Sequence, residues 1–417
     1  MTLITDLPCE LVAGIETEIV RRHVTPALIP YAFAAVEAHR LPRPREGADV
    51  QLLLNTLHDE PAQLTARFPS MPRALLQRMA RTHDVIYGFA YKFATEAWHR
   101  FHGDEEGSTF TSVTLSPTEY FRFCRAFYRV ELFYNLFSEK VLIVDRQIQS
   151  SGVKEGINPW FFSKHTPWEN EQLGCVHDFL EAELAKASFE VVAHDVNFAL
   201  GESLAKRKHS ALLLAVVRMT RKLSQGINFL HRLICEISWD KKRELLKLSF
   251  DTGDVNLPLA LFEALEDRDD IANVWYEDDV EEKLHLVMPE HKNEEDVDRG
   301  PYEAWYPAHK GLPIACSFMD LDNDWLRKRA YVLWDWDRIE RHHLLEIFQG
   351  HPVNPRLEYT QEEWQEMQES FNERSLIWQK GGSGYWSKGD TSRIVWPHQR
   401  SGWWSLMAIF KACLWVI

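Results

Sequence analysis

The chain has 417 residues, of which 45% are hydrophobic and 12% aromatic, so it contains ample material for a sizeable buried core. Its formal net charge is −15 at pH 7. Because phosphates require concentrated Lys and Arg, this acidic balance argues against nucleic acid as the main partner.

Neither end of the chain has the pattern of a membrane or secretory segment. The N-terminus begins Met-Thr-Leu-Ile-Thr-Asp, without the basic region or the long apolar run of a signal peptide. The apolar stretch at 403–417 contains Lys411 and is shorter than the roughly 20 residues that span a bilayer. The six cysteines are too widely scattered for a disulfide framework. We therefore expect a cytoplasmic or nuclear protein that does not bind membranes.

The first 45 residues have the pattern of a small helical unit. Leu7 and Pro8 precede a helix on which Leu11 and Ile15 share one face. Further along, Thr25-Pro26-Ala27-Leu28 is typical of a helix start, with Thr25 as the cap and Pro26 in the first turn. Small and aromatic residues at 31–38 would form a third helix.

These residues resemble an F-box, the module of about 40 residues that opens with Leu-Pro-x-Glu-Leu. The resemblance implies a three-helix docking unit that binds the linker subunit of a cullin-type ubiquitin ligase. The contact residues it implies are Leu7, Pro8, Leu11, Ile15 and Leu28.

Helix signals continue through the body of the chain. A helix is predicted from Pro72 to the residue before Gly103, and Ser-x-x-Glu or Thr-x-x-Glu capping boxes begin at Ser116, Thr166 and Thr360. Apolar residues also recur at helical spacing over 173–184 and over 212–234, the latter predicting about six continuous turns. Strand signals are weak and limited to 247–250 and 393–396.

The helix after Ser116 is apolar around most of its circumference, which predicts a central core element. It also carries a narrow stripe of Arg122, Arg125 and Arg129. Such a stripe could bind an anionic ligand, but carboxylates on neighbouring helices are the interpretation that we favour.

The chain divides into four parts by composition. The segment 266–300 contains an acidic block, with fourteen acidic and three basic residues between Glu266 and Asp298, and predicts an exposed, mobile connection. The expected order is an F-box-like unit at 1–45, a helical body at 46–265, the acidic segment at 266–300 and a Trp-rich part at 301–417 that packs on the body. The fold class expected is mostly α, with a large irregular helical body.

Catalytic and metal-binding motifs fail at specific positions. The calcium-loop pattern beginning at Asp320 has Trp325 where the turn needs Gly. The glycines of 384–389 have phosphate-loop spacing, but Asp390 replaces the required Lys. His177-Asp178 is an adjacent pair of the kind that arises by chance. We therefore expect no catalytic residues, no metal and no cofactor.

Three further segments resemble filamentous-fungal proteins that carry degenerate F-boxes: 125–137, 167–171 and 331–335. Together these resemblances favour a substrate-recognition adaptor, which binds the linker subunit through its N-terminus and a protein target through its body. Two alternatives stay open. One is an enzyme of unrecognised class with its site under the Trp-rich C-terminal part, and the other is a non-catalytic scaffold.

Overall fold

The computed structural model describes residues 24–102, 113–138, 141–143, 146–147, 158–198, 222–247, 257–258, 260–261, 298–309, 324–349 and 361–397. Of the described residues, 76% are helical and 4% are in strands, so the mostly α fold class is confirmed. The described residues fall into two units, one within Met1–Ala187 and Val217–Pro355, the other within Ser188–Val216 and Arg356–Ile417.

The α-helices of the first unit follow in chain order: α1 (Ile29–Arg40), α2 (Gly47–Asp59), α3 (Pro61–Arg67), α4 (Arg73–His102), α5 (Pro117–Phe137), α6 (Pro167–His194, which continues into the second unit), α7 (Ile227–Cys235), α8 (Trp239–Lys247), α9 (Arg299–His309), α10 (Asp324–Arg327), α11 (Trp336–Arg341) and α12 (Leu344–Gln349). Short 3-10 turns precede α1 (Pro26–Leu28) and α4 (Phe68–Ser70), and a π-helical turn (Asn158–Phe162) precedes α6.

A small sheet joins the start of α2 to the region after α5. Strand β1 (Arg45–Glu46) pairs in parallel with β2 (Val141–Ile143), which pairs antiparallel with β3 (Arg146–Gln147). These strands were not predicted from the sequence. Each has two or three residues, which is too short for an alternating pattern to be recognised.

Helix α5 is the centre of the first unit, as its composition predicts. Its side chains are buried from Arg122 to Tyr134, and both α1 and α4 pack against it. The predicted capping box is formed: Ser116 Oγ accepts from the Glu119 amide at 3.0 Å, while the Glu119 carboxylate accepts from the Ser116 amide at 2.9 Å. The equivalent box at Thr166 is also present at the start of α6.

The second unit contains the last turns of α6, a 3-10 turn (Val196–Phe198), α13 (Gln361–Gln379) and the two-stranded ribbon of β4 (Ser383–Gly384) and β5 (Ile394–Val395). Its core is a cluster of Val196, Ile377, Trp386 and Ile394. The ribbon confirms the strand predicted near 393–396.

Several expectations need correction. The continuous helix expected over 212–234 is wrong, because the chain turns at Gly226, whose φ is +88°, and α7 begins only at Ile227. Lys247 ends a helix and is not in a strand, while 248–250 lie outside the described residues. Thr25 forms no side-chain cap.

The expected boundaries also differ from the observed units. Residues 324–349 belong to the same unit as α1–α5, whereas 361–397 belong to the other unit. Most of the acidic segment lies outside the described residues. Its last residues, 298–300, are described, and α9 begins among them at Arg299.

Among the residues that the structure describes, no helix has both the length and the apolar character needed to cross a bilayer.

Candidate functional site

Four of the five expected docking residues, Leu7, Pro8, Leu11 and Ile15, lie outside the described residues. The fifth, Leu28, is fully buried at the junction of the first 3-10 turn with α1. A docking residue must be exposed, so the contact role expected for Leu28 is inconsistent with its position. Its side chain instead contributes to the core of this chain.

The arginine stripe of α5 is paired with neighbouring elements. Arg122 donates to both oxygens of Asp298 at 2.6 Å and to Asp335 at 2.7 Å. Arg125 donates to Glu169 at 2.7 Å and to Gln172 at 2.8 Å. The interpretation that carboxylates on neighbouring elements pair with the stripe is therefore confirmed for these two arginines.

Arg129 is held differently, because its partners are neutral. It donates to the Glu169 carbonyl at 2.5 Å and to the Asn170 side-chain oxygen at 2.7 Å. Burial, reinforced by the charge of Arg125, lowers the pKa of Arg129 to about 9, which leaves it protonated at neutral pH. The Phe161 ring lies 5.6 Å from its guanidinium carbon and supplies a cation–π contact.

Glu119 connects the start of α5 to α11. Besides the capping box, its carboxylate accepts from Arg338 Nε at 2.6 Å and from the Asp335 amide at 3.1 Å. Asp335 in turn accepts from Ser116 and Thr118. This set of contacts fastens α11 to α5, and its charged ends already have intramolecular partners. It is therefore a structural network and not an anion-binding site.

A second polar group lies on α6, where three possible metal ligands come together: His177, Asp178 and Glu181. His177 is fully buried, and its Nε2 lies 3.1 Å from the Tyr134 hydroxyl of α5. Its Nδ1 lies 3.7 Å from Asp178 Oδ1, which is too long for a hydrogen bond. Asp178 also accepts from Arg327 at 3.2 Å, and that interaction helps to lower the pKa of its carboxyl against the opposing effect of burial.

Arg327 reaches this group because α6 has a glycine opposite it. A Cβ at Gly174 would lie 3.1 Å from the Arg327 guanidinium carbon. The guanidinium also binds both oxygens of the buried Glu171, at 2.8 and 3.0 Å. One cation is thus shared by the carboxylates of Glu171 and Asp178.

A third feature is a cluster of tyrosines where α4 meets α5. The rings of Tyr87, Tyr91 and Tyr120 lie 4.6 to 6.1 Å apart, centroid to centroid, and Tyr87 is 49% exposed. Behind them, the His83 ring lies within hydrogen-bond distance of the Tyr128 and Tyr120 hydroxyls, at 2.9 and 3.2 Å. Rings this close leave no room for a ligand between them, but their outer faces form an aromatic surface.

The α6 group was not predicted from the sequence, in which His177-Asp178 has the character of a chance pair. The available signal was the spacing of His177 and Glu181, because residues four apart lie on the same face of a helix. That signal gains meaning only with the knowledge that Nδ1 of His177 has no hydrogen-bond partner among the described residues. Sequence alone does not contain that information.

Comparison with known proteins gives no relative for this chain. No protein-family model, no curated protein and no solved structure matches it. Functional inference therefore depends on its own residues.

Proposed function

We propose that the chain is a substrate-recognition adaptor of a cullin-type ubiquitin ligase. Its N-terminal segment binds the linker subunit, and its helical body binds a protein target. The observation that supports this most is the sequence Leu7-Pro8-Cys9-Glu10-Leu11, followed by Ile15, with its resemblance to an F-box.

The packing of α1 against the helical body is consistent with a docking segment that is held in a fixed position. Helix α1 packs against α5, and its Ile29, Phe33 and Val36 are buried. Asn135 of α5 also donates to the Ala35 carbonyl at 3.1 Å. An adaptor must hold its target at a defined position relative to the ligase, and a helix built into the body provides a rigid starting point for the docking segment.

The burial of Leu28 restricts the docking residues. A side chain that already fills the core of its own chain cannot enter a pocket of a partner. We therefore assign linker-subunit contacts to Leu7, Pro8, Leu11 and Ile15 and exclude Leu28.

Among the described residues, the tyrosine surface of α4 and α5 has the chemistry of a protein-binding surface. Tyr is enriched among the residues that dominate interface energetics because it buries a large apolar ring with few rotatable bonds. Tyr87 and Tyr91 are one helical turn apart on α4 and present adjacent rings. We assign target binding to this surface.

The test is co-purification of the tagged full-length chain from its host, comparing wild type with a Leu11→Ala/Ile15→Ala double variant. Loss of a buried interface anchor costs on the order of 2 kcal/mol, roughly thirtyfold in affinity. The double variant should lose the linker subunit while its melting temperature stays within a few degrees of wild type.

Leu28→Ala is the matched control. Truncating a buried leucine destabilises a protein by about 2–5 kcal/mol, so this variant should melt early without a specific loss of linker binding in its folded fraction. A Tyr87→Ala/Tyr91→Ala variant should keep the linker subunit and lose the target. The adaptor proposal fails if folded wild-type chain does not retain the linker subunit.

A non-catalytic scaffold is the second candidate, and the burial of Leu28 favours it. If residues 7–15 also fill this chain's own core, the Leu11→Ala/Ile15→Ala variant should melt early and the wild type should not bind the linker subunit. Measuring melting and binding on the same preparations distinguishes the two functions.

A further inference from the structure

One nitrogen of a fully buried histidine on α6 has no hydrogen-bond partner among the described residues. This nitrogen is Nδ1 of His177, whose side chain has no solvent exposure. Buried polar atoms in folded proteins are nearly always hydrogen-bonded, and each exception needs an explanation. The nitrogen faces Asp178, with Nδ1 and Oδ1 separated by 3.7 Å.

The environment of Nε2, the other ring nitrogen of His177, suggests a role for the unpaired Nδ1. Nε2 lies 3.1 Å from the Tyr134 hydroxyl, within hydrogen-bond distance. If Nε2–H donates to this hydroxyl, neutral His177 directs the Nδ1 lone pair towards the carboxylates. Metal-binding histidines have this arrangement, in which one nitrogen binds the ion and the other donates to a polar neighbour that orients the ring.

We propose that His177, Asp178 and Glu181 bind a divalent transition-metal ion. Their candidate ligand atoms all lie within 4.8 Å of one another. Ligands around a tetrahedral zinc ion are about 3.3 Å apart, given bonds of about 2.0 Å. The 3.7 Å between His177 Nδ1 and Asp178 Oδ1 is close to that spacing.

The donor set selects the class of metal. An imidazole nitrogen with carboxylate oxygens suits zinc and its first-row neighbours, whereas magnesium and calcium prefer oxygen ligands alone. Three protein ligands leave a coordination position for water. Asp178 and Glu181 are both partly exposed, which gives an ion a route to the buried nitrogen.

Arg327 determines which oxygen of Asp178 can bind the metal. Its guanidinium binds Asp178 Oδ2 at 3.2 Å and both oxygens of Glu171. Oδ1 is the oxygen nearer His177 and is the one assigned to the metal. Since one guanidinium is shared by two carboxylates, it does not balance both charges, and a cation beside Oδ1 is electrostatically favoured.

The experiment is titration of the metal-free, tag-free full-length chain with Zn²⁺ by calorimetry and with Co²⁺ by visible absorption. Wild type should bind about one equivalent of each, with cobalt ligand-field bands and a higher melting temperature when loaded. Glu181→Gln replaces a partly exposed ligand with a nearly isosteric amide, so the fold should be kept and the affinity should fall at least about tenfold.

Glu190→Gln is the control, because Glu190 is an exposed acid on the same helix, away from the three ligands. It should bind both metals like wild type. The proposal is overturned if wild type shows no saturable binding near one equivalent. It is equally overturned if folded Glu181→Gln binds zinc as tightly as wild type, since the metal would then be held elsewhere.

Discussion

At the scale of single residues, buried charges determine how the helices are held together. Glu119 is fully buried and accepts from Arg338 of α11 while it also closes the capping box of α5. One carboxylate thus stabilises a helix start and a contact between elements more than 200 residues apart in sequence.

Replacement of Glu119 by Ala should be strongly destabilising. It removes the carboxylate that pairs with Arg338 and accepts from the Ser116 and Asp335 amides, and breaking such a buried pair costs at least about 2 kcal/mol. The free energy of unfolding in urea measures this effect. Glu37→Ala removes a surface pair with Arg40 and should cost less than about 1 kcal/mol. Equal losses in the two variants would contradict a special role for Glu119.

Glu131 should make stability depend on pH. Burial raises the pKa of this carboxyl, even though the Ile227 amide donates to it at 2.7 Å and opposes the shift. The pKa of Glu131 in the folded protein is above the unfolded value of about 4.3. Its contribution to the free energy of unfolding is therefore fully present below about pH 4.3, and it is lost as the pH rises through the folded pKa.

A Glu131→Gln variant cannot titrate at this position. Its stability relative to wild type should therefore shift in its favour between about pH 4 and pH 7, as measured by urea unfolding at several pH values. Glu60→Gln, at an exposed carboxylate, is the control and should show a much smaller change. A relative stability of Glu131→Gln that stays constant, or falls as pH rises, would contradict this prediction.

At the scale of elements, helix starts marked by a Ser-x-x-Glu or Thr-x-x-Glu box were predicted best. The boxes at Ser116 and Thr166 form as expected because their signals are local and need no information about the rest of the fold. The signals that bound α4 are also local: Pro72 directly precedes it, and it ends at His102, before Gly103. Interruptions inside an apolar stripe are harder to predict, as the turn before α7 illustrates.

That turn depends on Gly226 and a distant acceptor. The glycine has a φ of +88°, and the following amide, of Ile227, donates to Glu131 of α5. The apolar spacing of 212–234 is compatible with a continuous helix, and only the tertiary contact favours the break. The periodic pattern therefore predicted the burial of Ile227 and Leu230 correctly and the start of α7 incorrectly.

Gly226→Ala should destabilise the protein by about 1 kcal/mol or more. The new Cβ would lie 2.9 Å from Glu131 Oε2, and the positive φ disfavours any residue with a side chain. Gly88→Ala is the opposite control: this glycine is within α4 with nothing within 4 Å of an added Cβ, so the change should stabilise by about 0.5–1 kcal/mol. Destabilisation of similar size in both variants would contradict the explanation.

At the scale of the whole molecule, sequence predicted the class of fold but not the division into units. The abundance of amphipathic helices is enough to indicate a mostly α protein. The division depends on long-range contacts, such as the hydrogen bond from Trp386 to the His194 carbonyl at 2.7 Å, which joins the end of α6 to the ribbon within the second unit. Composition along the chain does not reveal such pairings.

The two candidate sites also differ in whether their signals are local in sequence or depend on the fold. The docking residues are a local motif and could be proposed from sequence, although the burial of Leu28 emerged only from packing. The metal group required the surroundings of His177, which come from α5 and α10 as well as from α6 itself. Its three ligands lie on one helix, but the unpaired nitrogen that distinguishes them is apparent only when the fold is known.

The central claim is tested most directly by measuring the affinity of the purified full-length chain for the purified linker subunit of a cullin-type ubiquitin ligase. An adaptor should bind with a Kd on the order of micromolar or tighter, and Leu11→Ala/Ile15→Ala should weaken binding roughly thirtyfold. Circular dichroism and melting on the same samples establish that each protein is folded. Folded wild-type chain that shows no binding at micromolar concentration would contradict the adaptor function.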